Sequence, residues 1–399
     1  MIYLDWAASA PPDPGALDEG RAAAGEFYAN PSSPHAAGQK AAERLAHARA
    51  RFARALQVDS AEIVFTSGGT EANSSILLTL LDRNRLGGLE RRKARIVTTA
   101  IEHASVYDQA RGLQGFGFSA GIVMPGPDGR IDPQSLVEAV EEDTVLVSVM
   151  LVNNETGAFQ DIAEMVRGVR DLSRSRGRKI LFHTDAVQAM GKVPFSLRAL
   201  DVDAASFSAH KFGGPRGVGA LYVRSGSAPA FLSLGGGQEA GRRPGTENLP
   251  GICAMAAAAE KRLERAETET RAARENMRAL IAGIRGMRGG WIFPSTREDT
   301  DGRYSPWILL AGFPPLPGEV VVRVLDSAGF CVSTGSACSS KKKDRTRVPE
   351  SMGLPPDTAL SAVRISTGHS TTRSEIDGLL AAMTAAIPPL LSLSRGRGA

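Results

Sequence analysis

The chain has 399 residues, 42% hydrophobic and 23% charged, with 47 basic and 43 acidic side chains and a net charge of +4. That length predicts one large domain plus a smaller one, and the composition excludes a disordered or fibrous chain. The modest charge comes without a long basic stripe or interleaved aromatics, which excludes nucleic-acid binding as the main role.

Three cysteines, Cys253, Cys331 and Cys338, with no CxxC spacing argue against a disulfide framework or a cysteine-based zinc site. No metal site is expected, and a reducing, cytoplasmic setting is. The opening MIYLDWAASAPP lacks a basic region followed by an apolar one, so no signal peptide is expected. No uninterrupted apolar run approaches the ~18 residues of a membrane span.

In chain order, a helix is expected over 37–57, a strand at EIVFT (62–66), a helix over 70–83 and a strand at ARIVTT (94–99). A helix over 132–142, a strand at TVLVSVMLV (144–152), a helix over 161–176 and strands at KILFHT (179–184) and VGALYV (218–223) follow. Short, almost continuous apolar strands alternating with helices predict an α/β fold around a largely parallel sheet, buried on both faces. Beyond Pro250 one long helix is expected over 252–286, then strands at 305–313 and 362–366 and helices at 317–327 and 373–386. This second part reads as a smaller α+β domain. The expected division is 15–255 against 1–14 with 256–399.

Three stretches carry chemistry. VFTSGGTEAN (64–73) is a strand, a glycine turn, then Thr70 and Glu71 opening a helix, whose orphan backbone N–H groups suit a phosphate. An ordinary βα turn with Thr70 as N-cap accounts for the same residues. LFHTDAVQAMGK (181–192) ends a strand on Asp185, at the sheet edge where ligands sit, or where a carboxylate caps the next helix. SFSAHKFGGPRGVGALYV (206–223) sets His210 and Lys211 beside a glycine-rich turn. A confined lysine forms Schiff bases with carbonyl cofactors, whereas an exposed one is a solvated charge. An imine-forming lysine, a carboxylate for a pyridinium nitrogen and a phosphate-binding helix start together match pyridoxal 5'-phosphate.

The ordered set YLDWAAS (3–9), NPSSPHAAGQKA (30–41), FTSGGTEAN (65–73), EHASV (102–106), VNNETGAFQDI (152–162), HTDAVQAMGK (183–192), GGGQEAGRRPGTEN (235–248), GSACSS (335–340) and VRISTG (363–368) resembles the cysteine desulfurases of the NifS/IscS type, almost end to end. The resemblance implies the pyridoxal-phosphate fold type I, aspartate aminotransferase-like, with a mostly parallel seven-stranded sheet. It implies that Lys211 holds the cofactor, that Asp185 pairs with its ring nitrogen, that His103 stacks on the ring and that Gln188 bonds the ring oxygen. Asn154 would stand beside that oxygen and the substrate carboxylate. Gly69, Thr70, Ser208 and His210 would hold the phosphate, with Thr246 reaching in from the second subunit of a homodimer. Arg364 would clamp the carboxylate of L-cysteine.

Cys338, on a loop at about 333–350, would take the substrate sulfur as a persulfide. It would pass that sulfur to an acceptor such as an iron–sulfur scaffold or a tRNA-thiolation protein. The long segment between Cys338 and Arg364 matches the members with a mobile loop. Cys253 and Cys331 read as packing residues. Trp6, Ser9 and the basic KKKDRTR (341–347), which holds Lys341 to Lys343, depart from the family pattern. A selenocysteine lyase or another enzyme of the same class, and a non-enzymatic scaffold or regulator of sulfur transfer, are the alternatives.

Overall fold

The computed structural model describes residues 1–81, 94–227, 234–298, 300–335 and 346–395. Its largest sheet has seven strands: β2 (Ile63–Thr66), β3 (Arg95–Thr99), β4 (Ser119–Val123), β5 (Thr144–Ser148), β6 (Leu181–Asp185), β7 (Ala204–Ser208) and β8 (Gly219–Val223). They lie in the order β2-β8-β7-β6-β5-β3-β4, and only β8 runs against its neighbours. Both β2 and β7 are antiparallel to β8, so every strand except β8 ends on the same edge. That edge carries the site.

Helices cover this sheet: α1 (Pro14–Glu26), α2 (Ala36–Leu56), α3 (Gly69–Leu77), α4 (Ala104–Leu113) and several later ones. The inner strands are buried throughout, as their apolar runs require. Strand β4 is the one the sequence pattern hides. SAGIV has a central glycine and three positions that are only partly covered, because β4 closes the sheet's edge. The run expected over 144–152 leaves the ladder after Ser148, although Val149 to Val152 stay buried. There the Asn153 side chain builds a turn, its Oδ1 accepting from the backbone of Glu155 and Thr156 at 2.9 and 2.8 Å.

The remaining strands are β1 (Ile2–Tyr3), β9 (Trp291–Phe293), β10 (Ile308–Gly312), β11 (Phe330–Cys331) and β12 (Ala362–Ser366). A three-stranded antiparallel sheet runs β12-β10-β9, and β1 pairs in parallel with β11. A second apolar cluster gathers Leu4, Leu309, Val363 and Met383. The helix Leu249–Gly286 serves both clusters, with Ile252 and Met255 in the first and Leu280 and Ile284 in the second. Cys253 is fully buried on that helix, and Cys331 pairs across to Tyr3.

The helix Arg373–Arg395 contains a stretch, Arg373–Leu393, with a mean hydropathy of 1.6, apolar and long enough to cross a membrane by composition alone. Its Ile376, Leu379, Met383, Ile387 and Leu391 recur at helical spacing and pack into the second cluster. Trp6 is also structural. It is buried, its Nε1 donates to the Tyr3 carbonyl at 3.0 Å, and its ring meets that of His369 edge-on at 4.9 Å.

Candidate active site

At the carboxyl edge of the large sheet lies a cavity of about 180 Å³. Gly69, Thr70, His103, Asn154, Asp185, Gln188, Ser208, His210, Lys211 and Arg364, all singled out from the sequence, line it. They arrive from six separate stretches of chain, and each is placed by its element.

Asp185 is the last residue of β6 and is buried. Its Oδ1 accepts from the Val187 backbone N–H at 3.0 Å and its Oδ2 from Asn73 Nδ2 at 2.7 Å. Asn73 lies one turn into α3, and its Nδ2 also donates to Ser105 Oγ at 2.9 Å. Ser105 Oγ stands 2.8 Å from His103 Nδ1, which accepts from the Ser105 backbone N–H and so caps α4. An acceptor Nδ1 leaves the ring proton on Nε2. Burial lowers the His103 pKa below the usual range, the neighbouring Lys211 adding to this while Asp185 opposes it.

The start of α3 faces the same cavity. A Cβ on Gly69 would sit 2.7 Å from Val187 Cγ2, so only glycine lets this helix start lie so close to the β6 turn. The first N–H groups of a helix have no acceptor within it, and they favour an anion. Ser208 ends β7, and the short helical turn Ala209–Lys211 carries His210 and Lys211 onward from it. Burial, with the charges of Lys211 and Arg216, pushes the His210 pKa down to about 4, so the ring is neutral near pH 7. Lys211 Nζ donates to the carbonyls of Ala7 and Ala8 at 2.7 and 2.8 Å.

Arg364, in the middle of β12, is 1% exposed. Its Nη2 donates to Asp5 Oδ1 at 2.7 Å and its Nη1 to the Asn154 carbonyl at 3.0 Å, while its buried Nε has no partner. A guanidinium with a donor to spare at a cavity wall suits a carboxylate. Behind His103, Glu102 is buried, and burial raises its pKa to about 8, although it accepts from Met150 N and Thr99 Oγ1.

One expected site residue stands apart. Thr246 is exposed and does not line the cavity of its own chain. Cys338 and Lys341 to Lys343 lie outside the described residues. Conversely, Asn73, Ser105, Asp5 and the carbonyls of Ala7 and Ala8 belong to the site without having been singled out. Asn73 had a legible signal, one helical turn beyond Gly69 on the same motif. Asp5 had none but its place in YLDWAAS.

Residues 2–379 match the aminotransferase class-V family. A NifS/IcsS protein homolog of Lactobacillus delbrueckii subsp. bulgaricus is 38% identical over 96% of this chain and 96% of its own. A protein named cysteine desulfurase from Nostoc sp. is 35% identical over 99% of this chain and 94% of its own. Among solved structures, a NifS-like protein superposes with a TM-score of 0.87 at 35% identity, covering 98% of this chain and 99% of the other.

Proposed function

This chain belongs to the class-V aminotransferase family, and from that premise we propose that it is a cysteine desulfurase, turning L-cysteine into L-alanine and taking the sulfur onto Cys338. The observation that carries this reading is the convergence of Lys211, Asp185, Arg364 and the α3 helix start on one cavity. The donor set fits pyridoxal 5'-phosphate: an amine for its carbonyl, a carboxylate for its ring nitrogen, and a helix start with Ser208 and His210 for its phosphate. The bound cofactor supplies an electron sink that makes the substrate Cα–H acidic and weakens the bond to its sulfur.

The chain's own residues do the rest. Arg364, which lines the cavity, holds the substrate carboxylate. Lys211, once its amine is free, moves the Cα proton, and the Ala7 and Ala8 carbonyls give that amine a resting place. Asp185, fixed by Asn73 and the Val187 N–H, would pair with the cofactor's ring nitrogen. His103, its Nδ1 accepting from Ser105 N, holds its ring proton on Nε2. The Cys338 thiolate attacks the substrate sulfur, the carbon–sulfur bond breaks, the carbon takes a proton to give alanine, and the sulfur remains as the Cys338 persulfide.

A homodimer that brings in Thr246, a protein acceptor for the persulfide sulfur and a cytoplasmic setting belong to the same reading. The exposed position of Thr246 and the unpaired thiols of Cys253 and Cys331 support it.

The test is to incubate the purified protein and pyridoxal 5'-phosphate with L-cysteine and a reductant, then measure alanine and sulfide. Equal release of both, lost in Cys338→Ser, is expected. Full sulfide release by Cys338→Ser would overturn the role given to that thiol.

A further inference from the structure

Lys192 is 8% exposed and does not line the cavity, yet its ammonium end reaches to the back of it. Its Nζ donates to Gln188 Oε1 at 2.7 Å. At the other end of the same carboxamide, Gln188 Nε2 donates to the Ala7 carbonyl at 2.9 Å, the oxygen that also accepts from Lys211 Nζ. A backbone carbonyl can only accept, so Ala7 forces the nitrogen of Gln188 to its side. The donor Lys192 forces the oxygen to the opposite side, and the two contacts fix one orientation. With one Nε2 hydrogen given to Ala7, Gln188 keeps a second N–H for the cavity.

The placement of Lys192 is built. Gly191 adopts a left-handed conformation with φ +69°, and a Cβ there would stand 2.6 Å from Arg262 Cβ. That turn brings Lys192 back beneath Gln188, and Trp307 Nε1 pins the Lys192 carbonyl at 2.7 Å. A small cavity of about 20 Å³ behind Lys211 is lined by Lys192, Trp307 and His369.

We propose that Lys192 is a positioning residue: it locks the Gln188 carboxamide so that its N–H meets an acceptor oxygen of the bound cofactor. This rests on the cofactor reading above. Burial, with the positive charges of Lys211 and Arg364, lowers the Lys192 pKa to about 7, and the neutral amine still donates to Gln188. A lysine serving stability alone would leave the cofactor's spectrum unmoved.

The test uses the full-length protein with pyridoxal 5'-phosphate and follows the visible absorbance band against pH. Wild type, Lys192→Met, Gln188→Leu and the double variant are compared. An oxygen that loses its donor binds a shared proton more tightly, so the midpoint of the spectral change should rise by roughly one pH unit in Lys192→Met. Gln188→Leu should shift it equally, and the double variant should shift no further. Lys192→Gln, which keeps an uncharged N–H donor toward Gln188, should leave the midpoint near that of wild type and serves if Lys192→Met does not fold.

An unmoved midpoint in Lys192→Met, or a raised one in Lys192→Gln, overturns the inference. So do additive shifts in the double variant, which would mean that Lys192 acts by its charge alone. A wild type with no visible band overturns the proposed function and this inference with it.

Discussion

One wall of the cavity is the carboxyl edge of the large sheet, where Asp185 and Ser208 are the last residues of β6 and β7. Another wall is Ala7 and Ala8, which belong to no strand of that sheet, together with Arg364 on β12. In the first wall, position follows from the ladder. Neighbouring strands set each other's height, so side chains at their ends are held before any ligand arrives. In the second wall, position depends on a few long-range contacts: Arg364 to Asp5, Ala7 N to Ser366 Oγ at 2.9 Å, and Lys211 to the Ala7 and Ala8 carbonyls. The rigid wall suits a resident cofactor. The wall tied by exchangeable hydrogen bonds suits a substrate that comes and goes.

The largest expected effect sits where the walls meet. On the function proposed above, Lys211→Ala should lower the rate of alanine formation by at least about 1,000-fold, since it would remove both the cofactor's anchor and the proton carrier. A smaller loss measured by alanine release would break the assignment of Lys211.

On the tied wall, Arg364→Lys should lower kcat/KM for L-cysteine by about 10- to 150-fold, matching ~1.5–3 kcal/mol for a charged hydrogen bond. The cofactor's absorbance should stay unchanged, because Arg364 belongs to the substrate side. Altered cofactor binding in this variant would erase the distinction between the walls.

Stability should separate the walls more gently. Gly191→Ala forces a Cβ into a left-handed conformation against Arg262 and should cost about 1–2 kcal/mol, read as a lower melting temperature. The other stability effect is one of pH. Lys192 has a folded pKa of about 7 against an ordinary 10.5, so between these values the unfolded chain binds a proton that the folded chain does not. Wild-type stability therefore gains on that of Lys192→Met as pH rises from 7 toward 10.5. Melting curves of the two that stay parallel across that window would show Lys192 to be no more perturbed than a surface lysine.

The sheet wall and Arg364 were legible in the sequence, and the contacts that tie Arg364 to the first residues were not. Asp185, Ser208 and Lys211 sit in short motifs at the ends of apolar runs, and local order is what such motifs encode. The helix over 252–286 and the strand over 362–366 were read within a few residues, because their patterns are long or strongly apolar. Asp5 contacts Arg364 from the far end of the chain, and no local pattern carries such a pairing. Ala7 and Ala8 act through carbonyls, which every residue has. Asn73 and Lys192 reach the site through other side chains, Asp185 and Gln188, so their residue types alone do not announce them.

The contact between Asp5 and Arg364 also sets an order of events during synthesis. The sheet wall is complete in sequence by residue 223, but the carboxylate-binding wall needs one of the first residues and one of the last. A chain that has emerged only to residue 223 already carries Asp185 and Lys211, and it has no partner yet for Asp5.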